Sequence, residues 1–208
     1  MFETEYKLPN GNTFRLYAKS REDFFEAEIF APAQYESNFK QLFTEESPKL
    51  LIQSDCDWEN KQNVRQLVRV SFDTRKQRQQ FLSLKERVPS DVHLYFYYNC
   101  YSWATKSMLQ AHGIPVDIVR GMAKVCLCES FGLLYNNGIL SPDMVVTAQA
   151  EGQGPGEQKH NMNDRRALFD YYQRHFGFEL IDQTTDMTQP VLHEIPIRAK
   201  VSTILQHC

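Results

Sequence analysis

The chain has 208 residues, with 23 Lys and Arg against 26 Asp and Glu, a formal net charge of -3, 42% hydrophobic residues and five cysteines. That length and apolar content bury a core without staples and exclude a largely disordered chain. The near-balanced charge excludes a general attraction to nucleic acid or anionic membrane.

No segment approaches the ~20 apolar residues of a membrane-spanning helix. Met1 to Lys7 carries no basic region followed by an apolar run. The expectation is a reduced protein, cytoplasmic or secreted without a cleaved signal peptide. No internal period is present, so residues 1–208 read as a single α+β domain.

In chain order, Leu8-Pro9-Asn10-Gly11-Asn12 has turn chemistry, and Thr13-Phe14-Arg15-Leu16-Tyr17 alternates as a strand, which predicts an N-terminal hairpin. Tyr35, Phe39, Leu42 and Phe43 share one helical face between Ala33 and Glu46, and Ser47-Pro48 closes that helix. Gln66 to Phe72 alternates as a strand. Asp73 or Thr74 then caps a predicted helix bearing Phe81, Leu84 and Val88. Val92 to Tyr98 is β-branched and aromatic, the composition of a strand.

Tyr101 to His112 has helical spacing and ends at Gly113. Further helices are predicted over Met122 to Tyr135, after Ser141-Pro142-Asp143, and over Asn163 to His175. The last strand is predicted over Pro190 to Val201, where Pro196 implies an edge position.

Cys100 stands between a predicted strand and a predicted helix. A helix's first turn lowers a thiol pKa through unpaired N–H groups and the helix dipole, and the thiolate is the attacking species. The same N–H groups stabilise an oxyanion. Asn99 and Tyr101, on either side of Cys100, are the expected turn and oxyanion positions. The plainer alternative for Cys100 is a small buried thiol.

The run Tyr95-Phe96-Tyr97-Tyr98-Asn99-Cys100-Tyr101-Ser102-Trp103-Ala104, followed by Met108-Leu109 and Gly113-Ile114, resembles a block of the circularly permuted NlpC-like superfamily, related to lecithin:retinol acyltransferase. The resemblance covers residues 67 to 116. It implies a papain-like α+β fold, with an antiparallel sheet packed against a helix that starts at the cysteine. It also implies an amidase, peptidase or acyltransferase with Cys100 as nucleophile. No cofactor or metal is implied, and the expected substrate is a peptide, a lipid-borne acyl group or a protein.

A thiol nucleophile needs a base. His93 lies roughly 20 Å from Cys100 along a straight strand at ~3.3 Å per residue. His112 lies roughly 18 Å away along a straight helix. Neither reaches the thiol directly, and His207 stands at a fraying position. His175 suits a helix C-terminus.

His193, inside a strand pattern, and His160, after a glycine-rich loop, are the candidate bases, with Asn161, Asp164 or Glu194 to orient them. In the permuted families the base lies near the N-terminus, in a Gly-His-Thr-like sequence. Here Gly11-Asn12-Thr13 puts Asn12 in that position, and an amide cannot take the thiol proton.

Cys126-x-Cys128 lacks a second ligand pair for zinc and reads as structural thiols. The basic run Arg75, Lys76, Arg78, Lys85 and Arg87 reads as a solvated helix face, and no nucleic-acid partner is expected. Two functions remain. One is a thiol hydrolase or acyltransferase of bacterial type, possible also as a secreted effector. The other is an inactive papain-like module that binds a protein partner.

Overall fold

The computed structural model describes residues 2–19, 22–46, 63–74, 92–99, 101–150, 162–181 and 195–208, with backbone alone at 95–99 and 162–165. The predicted helix after Asp73 lies outside the described residues, as do its basic run and the predicted closure at Ser47-Pro48. Among the described residues there are eight strands: β1 (Glu3–Lys7), β2 (Thr13–Ala18), β3 (Phe24–Phe30), β4 (Gln66–Asp73), β5 (Val92–Asn99), β6 (Val145–Ala150), β7 (Glu179–Leu180) and β8 (Ile195–Lys200). The helices are α1 (Glu36–Glu46), α2 (Lys106–Ala111), α3 (Met122–Asn136), α4 (Met162–Phe176) and α5 (Val201–His207).

The fold is mixed α+β. The strands are hydrogen-bonded neighbours in the order β1-β2-β3-β4-β5-β6-β8-β7. The sheet is mostly antiparallel, with a parallel β5/β6 pair at Val92–Val146 and His93–Thr147. The residues cluster into two compact units, Met1–Ser71 with Phe96–Leu127 and Phe72–Tyr95 with Cys128–Cys208.

In the first unit the predicted hairpin forms. Leu8 to Gly11 make the turn, closed by Gly11 N–H to the Leu8 carbonyl at 2.9 Å, and Gly11 takes φ +85, a region glycine enters without a Cβ penalty. The β1/β2 register fixes which amides face outward. Leu8 N–H bonds to the Asn12 carbonyl and Ala18 N–H to the Phe2 carbonyl, so even residues of β1 bond to β2. Glu3, Glu5 and Lys7 direct their N–H and C=O groups away from β2.

Alternation then sorts the side chains. Phe14, Leu16, Phe25, Ala27 and Ile29 go to the core, with Phe39 and Leu42 of α1 buried as well. Arg15, Tyr17, Glu26 and Glu28 share the opposite face. α1 is tied to α2 through Asn38 Nδ2, which donates to the His112 carbonyl at 2.8 Å.

In the second unit, β6 pairs antiparallel with β8 from Val145–Lys200 to Ala150–Ile195. β8 lies between β6 and β7, which corrects the edge position expected from Pro196. Val201 N–H bonds to the Met144 carbonyl, so Ile195, Ile197 and Ala199 bond to β6, while Pro196 faces β7. β7 pairs only with Ile197 and Arg198, and the Pro196 carbonyl accepts from Ile181 N–H at 3.1 Å. The missing proline N–H therefore costs the β6 ladder nothing.

Residues 141–144 form a turn, with Met144 N–H to the Ser141 carbonyl at 3.2 Å, rather than the predicted short helix. β6 begins at the next residue, Val145. α4 ends as predicted at Gly177, at φ +70.

One cysteine expectation changes: Cys128, read as a reduced structural thiol, forms a disulfide with Cys208, whereas Cys126 is buried as expected of a structural thiol. Residues two apart on a helix point to different sides, so one thiol enters the core while the other reaches α5. His207 is the last residue of α5 and is exposed. Val201 and Ile204 of α5 are buried, and a Cβ added at Gly177 would lie 3.0 Å from His207 Nε2.

Candidate functional site

Cys100, His160 and His193 lie outside the described residues, as do Asn161 and Glu194. Asn99 is the last residue of β5, and Asp164 lies in α4. The helix expected to start at Cys100 starts instead at Lys106. Thr105 is its N-cap: its hydroxyl oxygen accepts from Met108 N–H at 3.2 Å. A threonine hydroxyl at the N-cap satisfies one of the helix-start donors that have no intrahelical acceptor.

The preceding turn is held by other contacts. Ala104 N–H bonds to the Tyr101 carbonyl at 3.1 Å, and Arg120 Nη2 donates to the Ala104 carbonyl. Tyr101 is buried. Its hydroxyl donates to the Val64 carbonyl at 2.8 Å, and its ring lies 4.7 Å from Phe39 and 6.0 Å from Trp103. The helix-start amides therefore follow Thr105, and the Tyr101 side chain is a core anchor.

Asn12 is fully buried. Its Nδ2 donates to the Ile118 carbonyl at 2.8 Å and contacts Met122 Sδ at 3.0 Å, while Oδ1 has no partner among the described residues. Its neighbour Asn10 donates through Nδ2 to the Asp117 carbonyl at 3.0 Å and accepts Asn12 N–H at 3.1 Å. The hairpin turn is therefore fastened to the segment that leads into α3.

That segment runs from Pro115 through a 3-10 turn, Val116–Ile118, to Arg120 and Gly121. Gly121 takes φ +77, and a Cβ placed there meets nothing within 4 Å. Arg120 and Gly121 are exposed. The 15 residues of α3 follow, with no acidic side chain in the first turn. Its leading N–H groups have no intrahelical acceptor and carry the positive end of the helix dipole, which is chemistry suited to an anion.

Beside this segment lies a cleft of about 530 Å³, with Lys7, Asn10, Pro32, Tyr35, Asp117 and Ile118 in its wall. On the charged face of β2 to β4, Glu26 accepts from Tyr17 (2.7 Å), Lys19 (2.6 Å) and Arg69 (2.7 Å). Burial pushes the Glu26 carboxyl up, but these three donors outweigh it and hold the pKa below the usual value. Burial raises Glu28, which accepts from Gln66 Nε2 at 2.7 Å. Burial and the bond to Glu26 also raise the Tyr17 hydroxyl.

Glu45, Glu46 and His112 bring one potential ligand atom each within 4.8 Å of one another. His112 Nδ1 faces the Met108 carbonyl at 2.8 Å and so carries hydrogen, and Nε2 lies 3.2 Å from Glu45. Among the described residues, no helix is long and apolar enough to cross a membrane.

Comparison of the chain with family models, curated proteins and solved structures finds no match. Arg120, Gly121 and Asp117 were not singled out by the sequence reading. The signal present there was a glycine directly before a long apolar helical pattern with no acidic residue in its first turn.

Proposed function

We propose that the chain is an acyltransferase that takes its acyl group from a phosphate-bearing thioester, with the donor's phosphate at the start of α3. The observation that carries this reading is the Arg120-Gly121 entry to α3, exposed, open above Gly121 and free of acidic residues in its first turn. Acyl chemistry comes from the resemblance of residues 95–114 to a superfamily that includes acyltransferases. Transfer then runs from the thioester to an acceptor without requiring a helix-activated Cys100.

A second reading, a binding module without chemistry, is favoured by Asn12, which stands in the expected base position and is spent on the Ile118 carbonyl.

Titration calorimetry with coenzyme A and with pantetheine, which lacks the phosphates, tests the first reading. Coenzyme A is expected to bind and pantetheine to bind at least about tenfold more weakly, with Arg120→Ala costing coenzyme A about tenfold, or ~1.4 kcal/mol. Equal affinity for the two, or no binding, overturns the phosphate site. Preferential labelling of Cys100 by iodoacetamide, lost in Cys100→Ser, returns the assignment to a thiol enzyme.

A further inference from the structure

We propose that the cleft beside the N-terminal hairpin binds a zwitterionic amino acid with an apolar side chain. This rests on the acyl-transfer reading, for which it supplies the acceptor amine. Three loop segments build the cleft: the hairpin turn, residues 32–35, and residues 115–118. Its volume, about 530 Å³, falls within the range of small-molecule sites and exceeds what one amino acid fills.

The wall is braced in place. Both ends of the Asn10 amide are used, one on the Asp117 carbonyl and the other on Asn12 N–H. Pro32, Pro115, Ile118 and the Tyr35 ring form its apolar part.

Two charges of opposite sign stand on different segments of this wall, Lys7 and Asp117, and no ion pair joins them. Lys7 Nζ gives one hydrogen to Thr13 Oγ1 at 2.5 Å and keeps two. Asp117 engages the hairpin through its backbone carbonyl, which leaves its carboxylate for a ligand. A lone anion satisfies only Lys7 and a lone cation only Asp117. An α-amino acid presents a carboxylate to the first, an ammonium to the second and a side chain to the apolar wall.

Asp117 stands four residues before Gly121, so an amine held there is close in sequence to the proposed phosphate position. In the transfer, the amine nitrogen forms a C–N bond to the acyl carbon as the C–S bond breaks. Of the two protons the ammonium gives up, one ends on the departing carrier thiol and one in solvent.

The test is titration calorimetry on the full chain with phenylalanine, phenethylamine and 3-phenylpropionate, in the absence of coenzyme A. Phenylalanine is expected to bind at least about tenfold more tightly than either fragment. Asp117→Asn should weaken phenylalanine and the amine but not the acid. Lys7→Gln should weaken phenylalanine and the acid but not the amine, with unchanged circular dichroism in both variants. No heat with any of the three, equal affinity for all three, or indifference of phenylalanine to both substitutions overturns the proposal. Because no donor is present, binding of phenylalanine without binding of coenzyme A rejects the phosphate site and leaves this cleft standing, and the converse result does the reverse.

Discussion

Replacing Asn12 by alanine removes its Nδ2 donor to the Ile118 carbonyl and leaves the hairpin turn less firmly held to the segment before α3. The expected cost is about 1–3 kcal/mol in urea denaturation. Asn12→Asp should cost more, because a buried carboxylate would then face a carbonyl oxygen. An aspartate variant as stable as the alanine variant would contradict the assigned amide orientation.

Glu28 supplies a pH-dependent case at the same scale. Its folded pKa is raised by burial, so the penalty for ionising it is absent below the unfolded carboxylate pKa and grows as pH rises through the folded value. Glu28→Gln should therefore raise the thermal midpoint at neutral pH and lose that gain in acid. Glu26 works in the opposite sense: its depressed pKa contributes stability that disappears as pH falls through the folded value. A Glu28→Gln gain that persists in acid would remove burial as the cause. That Asn12 occupied a position of interest was readable from Gly11-Asn12-Thr13. Its partner was not, because Ile118 is 106 residues away.

Helix α5 shows what a covalent tie adds to an element of seven residues, too short to hold itself together in water. The Cys128–Cys208 bond closes a loop with a sequence separation of 80, for which the chain-entropy model gives a stabilisation on the order of 4–5 kcal/mol. Cys208→Ser, or reduction with dithiothreitol, should lower the thermal midpoint, and reduction should have no further effect on the variant. A midpoint unchanged by both would show that packing of Val201 and Ile204 alone holds α5.

Elements with a clear period were legible in the sequence: the N-terminal hairpin, α1, α3, and α4 with its glycine stop. β6 was not. Val146, Thr147 and Ala148 of β6 are buried in succession, which weakens strand alternation, whereas β3 alternates Phe25, Ala27 and Ile29 against Glu26 and Glu28 and was overlooked. The start of α2 was misplaced because aromatic spacing from Tyr101 onward mimics a helix, whereas the Thr105 hydroxyl sets where the helix begins.

At the scale of the whole chain, the α+β class followed from mixed periodicities, but the strand order did not. Placing β8 between β6 and β7, or β5 parallel to β6, depends on contacts between residues far apart in sequence, which leave no local pattern. The same holds for the candidate site. Lys7, Asn12 and Asp117 are each unremarkable in their own neighbourhood. The hairpin turn draws them toward one segment through two asparagine amides.

One end of the sheet order is β1, where Glu3, Glu5 and Lys7 carry their backbone donors and acceptors away from β2. Those same three residues are charged and exposed. Every outward position able to recruit a foreign strand thus carries a hydrated charge, a common natural guard against edge-to-edge aggregation. Colloidal behaviour at this end of the sheet depends on three side chains that contribute little to the core.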